Sequence, residues 1–240
     1  VELGTSYYRQ GQATLAKWDF MQDADSPGAA FFNAVWRHLL ERTFHDELPK
    51  DQWPDGGERW YSVVDTILDR PGNHWWDDVT TSGIRETRDQ VLAAAMEDAR
   101  DELTMIQSRS PSEWRWGKMH QLELVNPTLG ESGIGLVESL FNRGPFRVGG
   151  GSGIVDATSW DAREGYEVTT VPSMRMVVDL DDLDESRWIQ LTGNSGHAFH
   201  DHYLDQQEMW SKGETLPWAF GEKAVDEATD DTLTLSPSGG

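Results

Sequence analysis

Along roughly the first hundred residues, apolar positions recur every three or four places, the spacing of one face of an α-helix. The segment "ATLAKWDF" sets Leu15 and Trp18 at that spacing. Ser26 followed by Pro27 reads as a helix start. A hydroxyl caps the free N–H groups, and proline takes the first helical position, where its missing N–H costs nothing. The run after it, "GAAFFNAVWRHLLERTF", lays Phe32, Val35, Trp36, Leu39, Leu40 and Phe44 along one stripe. "DQWPDGG" predicts a loop, and "ERWYSVVDTILDRP" a shorter helix stopped by Pro71. "IRETRDQVLAAAMEDARDELTMI" predicts the most regular helix of the chain, with Ser82 as its expected cap.

From residue 108 the pattern changes. Gly and Pro punctuate short β-like runs, "GIVDATSW", "GYEVTTV", "SMRMVVDL" and "RWIQLTG". "DDLDES" forms an acidic turn between the last two. "FHDHYLDQQEMWSKG" predicts a helix, "EKAVDEATDDTLTLSP" a short helix and a last strand, and "SPSGG" a frayed tail. There is no internal repeat. The layout is α+β, a helical region over 1–107 and a strand-rich region over 108–240, expected to form one structural unit.

Composition narrows the function classes. The chain has 240 residues, enough for a substantial core, and 12 Trp that call for large buried aromatic clusters. Its formal net charge is -22, with only 5 Lys against 15 Arg. Such a surface repels nucleic acid and anionic membranes, so neither is an expected partner. Acid-rich, Lys-poor composition also suits a protein that works in molar salt, where like-charge repulsion is screened. Cysteine is absent, which removes disulfides and thiolate metal sites. No apolar run reaches the ~20 residues that span a bilayer. The chain begins at Val1 in mid-pattern, without a leader, and is expected to be a processed chain or a fragment.

Several stretches, in order, resemble the penicillin acylase family. They are "WRWGKMH" (Trp114 to His120) with Asn126-Pro127, then "FRVGGGSGIVDA", then "VPSMRMVVDLDD", then "LTGNSGHAFHDHYLDQQEMWSKGE". In the first half "LAKWDF", "DSPGAAFFNAVW" and "WWDD" look like the family too, so the resemblance covers nearly the whole chain. It implies part of an N-terminal-nucleophile hydrolase αββα sandwich, with two sheets between helical layers. It also implies hydrolysis of the amide bond of N-acyl compounds such as β-lactams or acyl-homoserine lactones, with no cofactor. In that family a self-cleaving precursor frees a Ser whose own α-amine is the base. Backbone amides and an Asn side chain stabilise the oxyanion.

By this resemblance the chain is the C-terminal part of the β subunit. Its expected partners are the α chain and the upstream part of the β chain of the same precursor, and a small N-acyl amide as substrate. Val1 has neither hydroxyl nor thiol, so the nucleophile is expected upstream and no residue of this chain is assigned a catalytic role. Asn194 stands where the family usually has Gln, and His200 where a small residue or proline is common. Met176 falls where the cephalosporin-acylase branch carries a supporting Glu, which argues against that branch. A non-catalytic homologue that uses the cleft for binding is the alternative.

The remaining motifs have plainer readings. His197, His200 and His202 have a spacing that suits Zn²⁺, but no fourth ligand is evident, so capping and surface roles are preferred. "DLDDLDES" is dense in carboxylates but lacks the Gly and terminal Glu of a calcium loop, so it reads as a solvated turn, with Asp179 bonding locally. Arg175, on an apolar strand, is expected to hold a structural carboxylate. "VGGGSG" has no Lys and opens no helix; it reads as a tight turn with close backbone packing. Trp114, Trp116 and Trp160 suit either an acyl pocket or the core, and the core is preferred. "GNSGH" misses the nucleophile-elbow pattern, which disfavours a free-standing Ser-His-Asp hydrolase.

Overall fold

Ser26 accepts a hydrogen bond from the Ala29 N–H and starts the longest-buried helix, α2 (Pro27–Phe44), with Pro27 in its first turn. The computed structural model describes residues 1–237. α1 (Ser6–Ala16), α3 (Glu58–Leu68) and α4 (Arg88–Ile106) accompany α2 in the first half. α2 and α4 pack most extensively, and α1 lies against both. α4 presents Val91, Ala95, Ala99 and Leu103, one residue per turn, along its buried side. The small Ala side chains let the two helices approach closely along an i+4 ridge.

α2 is buried on more than one stripe. Val35, Trp36, Leu39, Leu40 and Phe44 are buried as the pattern requires, but Phe31 is fully buried while Phe32 is only partly so. A helix buried on several sides needs apolar residues outside a single face, and Ala29, Ala30 and Ala34 supply them. Burial of Phe31 alone contributes about 2 kcal/mol. α1 ends before Trp18, whose ring instead packs beside Phe32 with 5.1 Å between centroids. α3 ends ahead of Pro71, as expected.

The cap of α4 is Thr87, not Ser82. Its hydroxyl accepts from the Gln90 N–H while the Gln90 side chain accepts from the Thr87 N–H, a reciprocal capping box. Residues 82–87 carry no helix, because Glu86 is held back by Asp77 and itself binds Asp78 and Thr81.

The strands are short and antiparallel. β1 (Gln121–Leu124) pairs with β2 (Arg143–Arg147), and α5 (Gly135–Phe141) sits between them in sequence. β3 (Ser159–Trp160) pairs with β4 (Val168–Thr170). β5 (Met174–Val177), β6 (Arg187–Gln190) and β7 (Leu216–Pro217) form a three-stranded sheet in that order. The fold is thus mixed, helices with small antiparallel sheets.

Several expected elements are shorter or absent. The run 153–160 yields only the two residues of β3. The helix expected over 199–213 is a single 3-10 turn, Asp201–Tyr203, and α6 (Gln207–Ser211). After α7 (Glu222–Ala228) no strand forms over 230–236, where every residue is exposed. An isolated apolar-polar alternation lacks a partner to satisfy its backbone there. Of the tail "SPSGG", residues 238–240 lie outside the described residues. The chain falls into two compact units, Val1–Val171 and Pro172–Gly240.

Candidate functional site

The Trp-x-Trp-Gly-x-x-His block forms the most enclosed node of the first unit. Trp114, Trp116 and His120 are fully buried. Trp114 stacks on Phe31 at 5.5 Å and donates from Nε1 to the Ser108 carbonyl at 2.8 Å. Trp116 donates to the Gly150 carbonyl at 2.9 Å, and its ring stacks on the His120 imidazole at 4.4 Å. Trp160 and Tyr166 close the cluster edge-on to Trp116. All three candidate tryptophans therefore belong to the core. Trp160 also borders a small polar recess of about 280 Å³ with Asp55, Glu58, Ser152 and Ser159.

His120 is locked from both sides. Nδ1 lies 2.7 Å from the Tyr166 carbonyl, so this nitrogen carries the proton. Nε2 lies 2.9 Å from the Thr158 hydroxyl, which is also 2.7 Å from the Gly149 carbonyl. With a neutral ring, the one hydroxyl proton serves a single acceptor at a time. Burial pushes the imidazole down to about 4, so the neutral form is the resident one. The Gly-rich turn makes this possible. Gly150 has φ +87°, and a Cβ there would meet the Asp156 carbonyl at 2.3 Å and Thr158 Oγ1 at 2.4 Å.

A charged network lies beside this node. Glu102 on α4 accepts from the Tyr166 hydroxyl at 2.6 Å and meets His38 Nε2 of α2 at 2.9 Å. Arg37 stands 3.5 Å from the other carboxylate oxygen and donates to the Ala162 carbonyl. Burial works to lower His38, but hydrogen bonds to Glu102 and Glu41 outweigh it and hold the ring up to about 9. Burial raises Glu102 in turn, and bonds from His38 and Tyr166 more than offset that, leaving it below the usual carboxylate range. The Tyr166 hydroxyl is pushed well above its ordinary value, by burial first and by Glu102 second. This network joins α2, α4 and the β3–β4 connection. Every polar group in it has a partner, which makes it a clamp and not a catalytic constellation.

Two larger cavities also open on the first unit. One, of about 420 Å³, has a mixed lining that includes Ile106, Lys118, Met119, Asp161, Tyr166 and Val168. The other, of about 500 Å³, is an apolar groove along α2 and α3 formed by Phe32, Trp36, Leu39, Tyr61, Val64 and Leu68.

In the second unit the histidine motif is spent on turns. His197 Nδ1 accepts from the Phe199 N–H, and His200 Nδ1 from the His202 N–H. His202 Nδ1 pairs with Asp205 at 2.7 Å. Among the described residues, no group of three or more His, Asp or Glu side chains is arranged to hold a metal ion. Gly193 fits close against this segment, where a Cβ would meet the His202 carbonyl at 2.1 Å. Asp179 Oδ1 accepts from the Asp181 and Asp182 N–H groups, the local bonding expected of it. Arg175 donates to the Trp210 carbonyl at 2.7 Å and lies 4.1 Å over the Trp210 ring, a partner that the sequence did not suggest. Among the described residues no serine hydroxyl is hydrogen-bonded to a histidine ring; the Thr158 hydroxyl is, but both it and His120 are buried.

Against this geometry stand the comparisons with known proteins. The sequence model of the penicillin amidase family matches residues 2–227. The chain is 26% identical over 261 residues to the acyl-homoserine lactone acylase QuiP of Pseudomonas aeruginosa, covering 99% of this chain and 30% of that protein. It is 26% identical over 207 residues to the penicillin acylase 2 proenzyme of Pseudomonas sp. strain SE83, covering 86% of this chain and 26% of that one. The thermostable penicillin G acylase of Alcaligenes faecalis superposes with a TM-score of 0.48 at 11% identity, over 100% of this chain and 44% of its own. The chain therefore spans less than a third of the length of the curated relatives it matches.

Proposed function

We propose a function from one premise, that the chain belongs to the penicillin amidase family. In this reading the complete protein hydrolyses the amide bond of N-acyl compounds, β-lactams or acyl-homoserine lactones among them. The observation that carries it is the family match across residues 2–227, joined to two relatives named as acylases of those substrate kinds.

The nucleophile is a serine outside residues 1–240, freed by self-cleavage. Its α-amine takes the hydroxyl proton as the oxygen attacks the carbonyl carbon. Backbone N–H groups and an Asn side chain hold the oxyanion. The amine leaves with a proton, and water then releases the acid from the acyl-enzyme. Residues 1–240 match less than a third of the length of the curated relatives, which leaves room for the nucleophile elsewhere, and the buried ring of His120 is committed to Tyr166 and Thr158. One relative is named as a proenzyme, which suits a processed precursor.

Residues 1–107 then act as helical cover and residues 108–240 as strands that complete a larger sheet sandwich. The partners are the α chain and the upstream part of the β chain. No organic cofactor takes part. The test is an assay of the complete protein with chromogenic N-acyl amides. Turnover is expected, and alanine in place of the serine at the cleavage junction should abolish both cleavage and hydrolysis. A complete protein that binds such amides without turning them over would favour the binding-only homologue.

A further inference from the structure

Three contacts run through the His120 node: Nδ1 to the Tyr166 carbonyl at 2.7 Å, Nε2 to the Thr158 hydroxyl at 2.9 Å, and that hydroxyl to the Gly149 carbonyl at 2.7 Å. Each contact takes one proton. A neutral imidazole and a hydroxyl together hold two. One contact is therefore empty while the ring is neutral, and all are filled when both ring nitrogens are protonated.

The position of the empty contact follows from burial. The Tyr166 carbonyl only accepts, so the single ring proton belongs on Nδ1. The hydroxyl proton then chooses between Nε2 and the Gly149 carbonyl. His120 is fully buried, and among the described residues no other donor reaches Nε2, whereas Gly149 is only half-buried. An unmet acceptor costs most where water cannot reach it. The neutral state thus gives the hydroxyl proton to Nε2 and leaves Gly149 without its side-chain donor. When the ring gains its second proton, Nε2 becomes a donor and the hydroxyl has to turn its own proton to Gly149.

We propose that Thr158 is a proton-operated latch, which releases the glycine turn over 149–151 while His120 is neutral and pins it when His120 is protonated. The turn is packed so that a pin matters. Gly150 donates to the Gln22 carbonyl at 2.8 Å, and a Cβ on Gly149 would meet that carbonyl at 2.7 Å. The Gln22 side chain is held in turn by Asn33 of α2. Beyond the turn, Ser152 and Gly153 form part of the wall of the recess bordered by Asp55 and Glu58. The latch sets how firmly that stretch is held.

Among the described residues no charged side chain touches the His120 ring, and Trp116 stacks against it. The charged groups around the node are Glu102 of α4 with Arg37 and His38 of α2, reached through the Tyr166 hydroxyl, and Asp156, whose Oδ2 would lie 2.9 Å from a Cβ on Gly150. A change at Thr158 separates the latch from their titration.

NMR of the complete protein, with 15N-labelled histidine and 13C-labelled glycine carbonyls, tests the latch from about pH 7.5 to about pH 3.5 in about 1 M salt. At the upper end Nδ1 should carry the proton and Nε2 should show the shift of an acceptor that receives a bond. As His120 takes up its second proton, the Gly149 carbonyl should move downfield along the same curve. A Gly149 carbonyl that stays flat while His120 titrates would overturn the latch. So would an unbonded Nε2 at the upper end, or a ring that gains no proton before the protein unfolds. Thr158→Val removes the hydroxyl at nearly constant volume; His120 should then bind its proton roughly tenfold more weakly, and the Gly149 response should vanish. Thr158→Ser keeps the hydroxyl and should keep both. Equal proton affinity in the Val and Ser variants contradicts the proposal, and the wild-type curves decide it alone if the Val variant does not fold.

Discussion

His120 shows what a single buried residue commits the fold to. Its ring is neutral because burial lowers it to about 4, whereas an unfolded histidine titrates near 6.5. The unfolded chain binds the extra proton first as pH falls. The stabilising contribution is therefore complete above about pH 6.5 and is lost progressively down to about 4, an effect on the order of 3 kcal/mol. Thermal melts from pH 7.5 to 4 should show this as a falling melting temperature. His120→Phe should be less stable at pH 7.5 but flatter across that acid range; an equal slope in both proteins would assign the loss elsewhere. His38 has the opposite sign. Its ring is held up to about 9, so its contribution is full below about 6.5 and fades as pH rises through 9. Neither role was legible in the sequence. The Trp-x-Trp-Gly-x-x-His spacing marks His120 through family resemblance, but its partners Thr158 and Tyr166 lie 38 and 46 residues away. His38 drew no reading from the sequence, because its partner Glu102 is brought against it only by the packing of α4.

Elements with their own local chemistry could be read directly. Ser26-Pro27 fixed the start of α2, and Pro71 the end of α3, because caps and proline act within one turn. The α4 start was misplaced by several residues, since Ser82 and Thr87 are both good caps and only tertiary bonds at Glu86 choose between them. Thr87→Ala removes the side-chain half of the capping box, keeps the backbone N–H bond to Gln90, and should cost about 1 kcal/mol, while Ser82→Ala should cost nothing measurable. Denaturation of the two variants, side by side, checks the assignment. β1, β2 and α5 had no clear sequence signal. Gly144 and Pro145 lie inside β2, where the pattern reads as a break, and α5 starts at Gly135 after Ile134, which gives no capping side-chain bond. The expected strand over 230–236 failed for the converse reason: alternation without a neighbouring strand carries little stability.

At the scale of the whole molecule, two features of the sequence dominate. The first is charge. A net -22 on 240 residues means that repulsion opposes the compact state wherever salt is low. The melting temperature should rise from about 50 mM to molar KCl, through screening and through excluded salt; a flat or falling series would remove high salt as the working condition. The second is the ordered series of motif blocks. The family could be read from ordered motif blocks, and the match over residues 2–227 bears that out. No catalytic residue was assigned from the sequence, and our proposal sets the nucleophile outside residues 1–240. Covalent labelling of the complete, processed protein with a mass-tagged sulfonyl fluoride, followed by peptide mapping, tests this most directly. The account predicts one label, on an N-terminal serine outside residues 1–240, with loss of amide hydrolysis in step with labelling. A label on a serine within residues 1–240, with the same loss of activity, would contradict it.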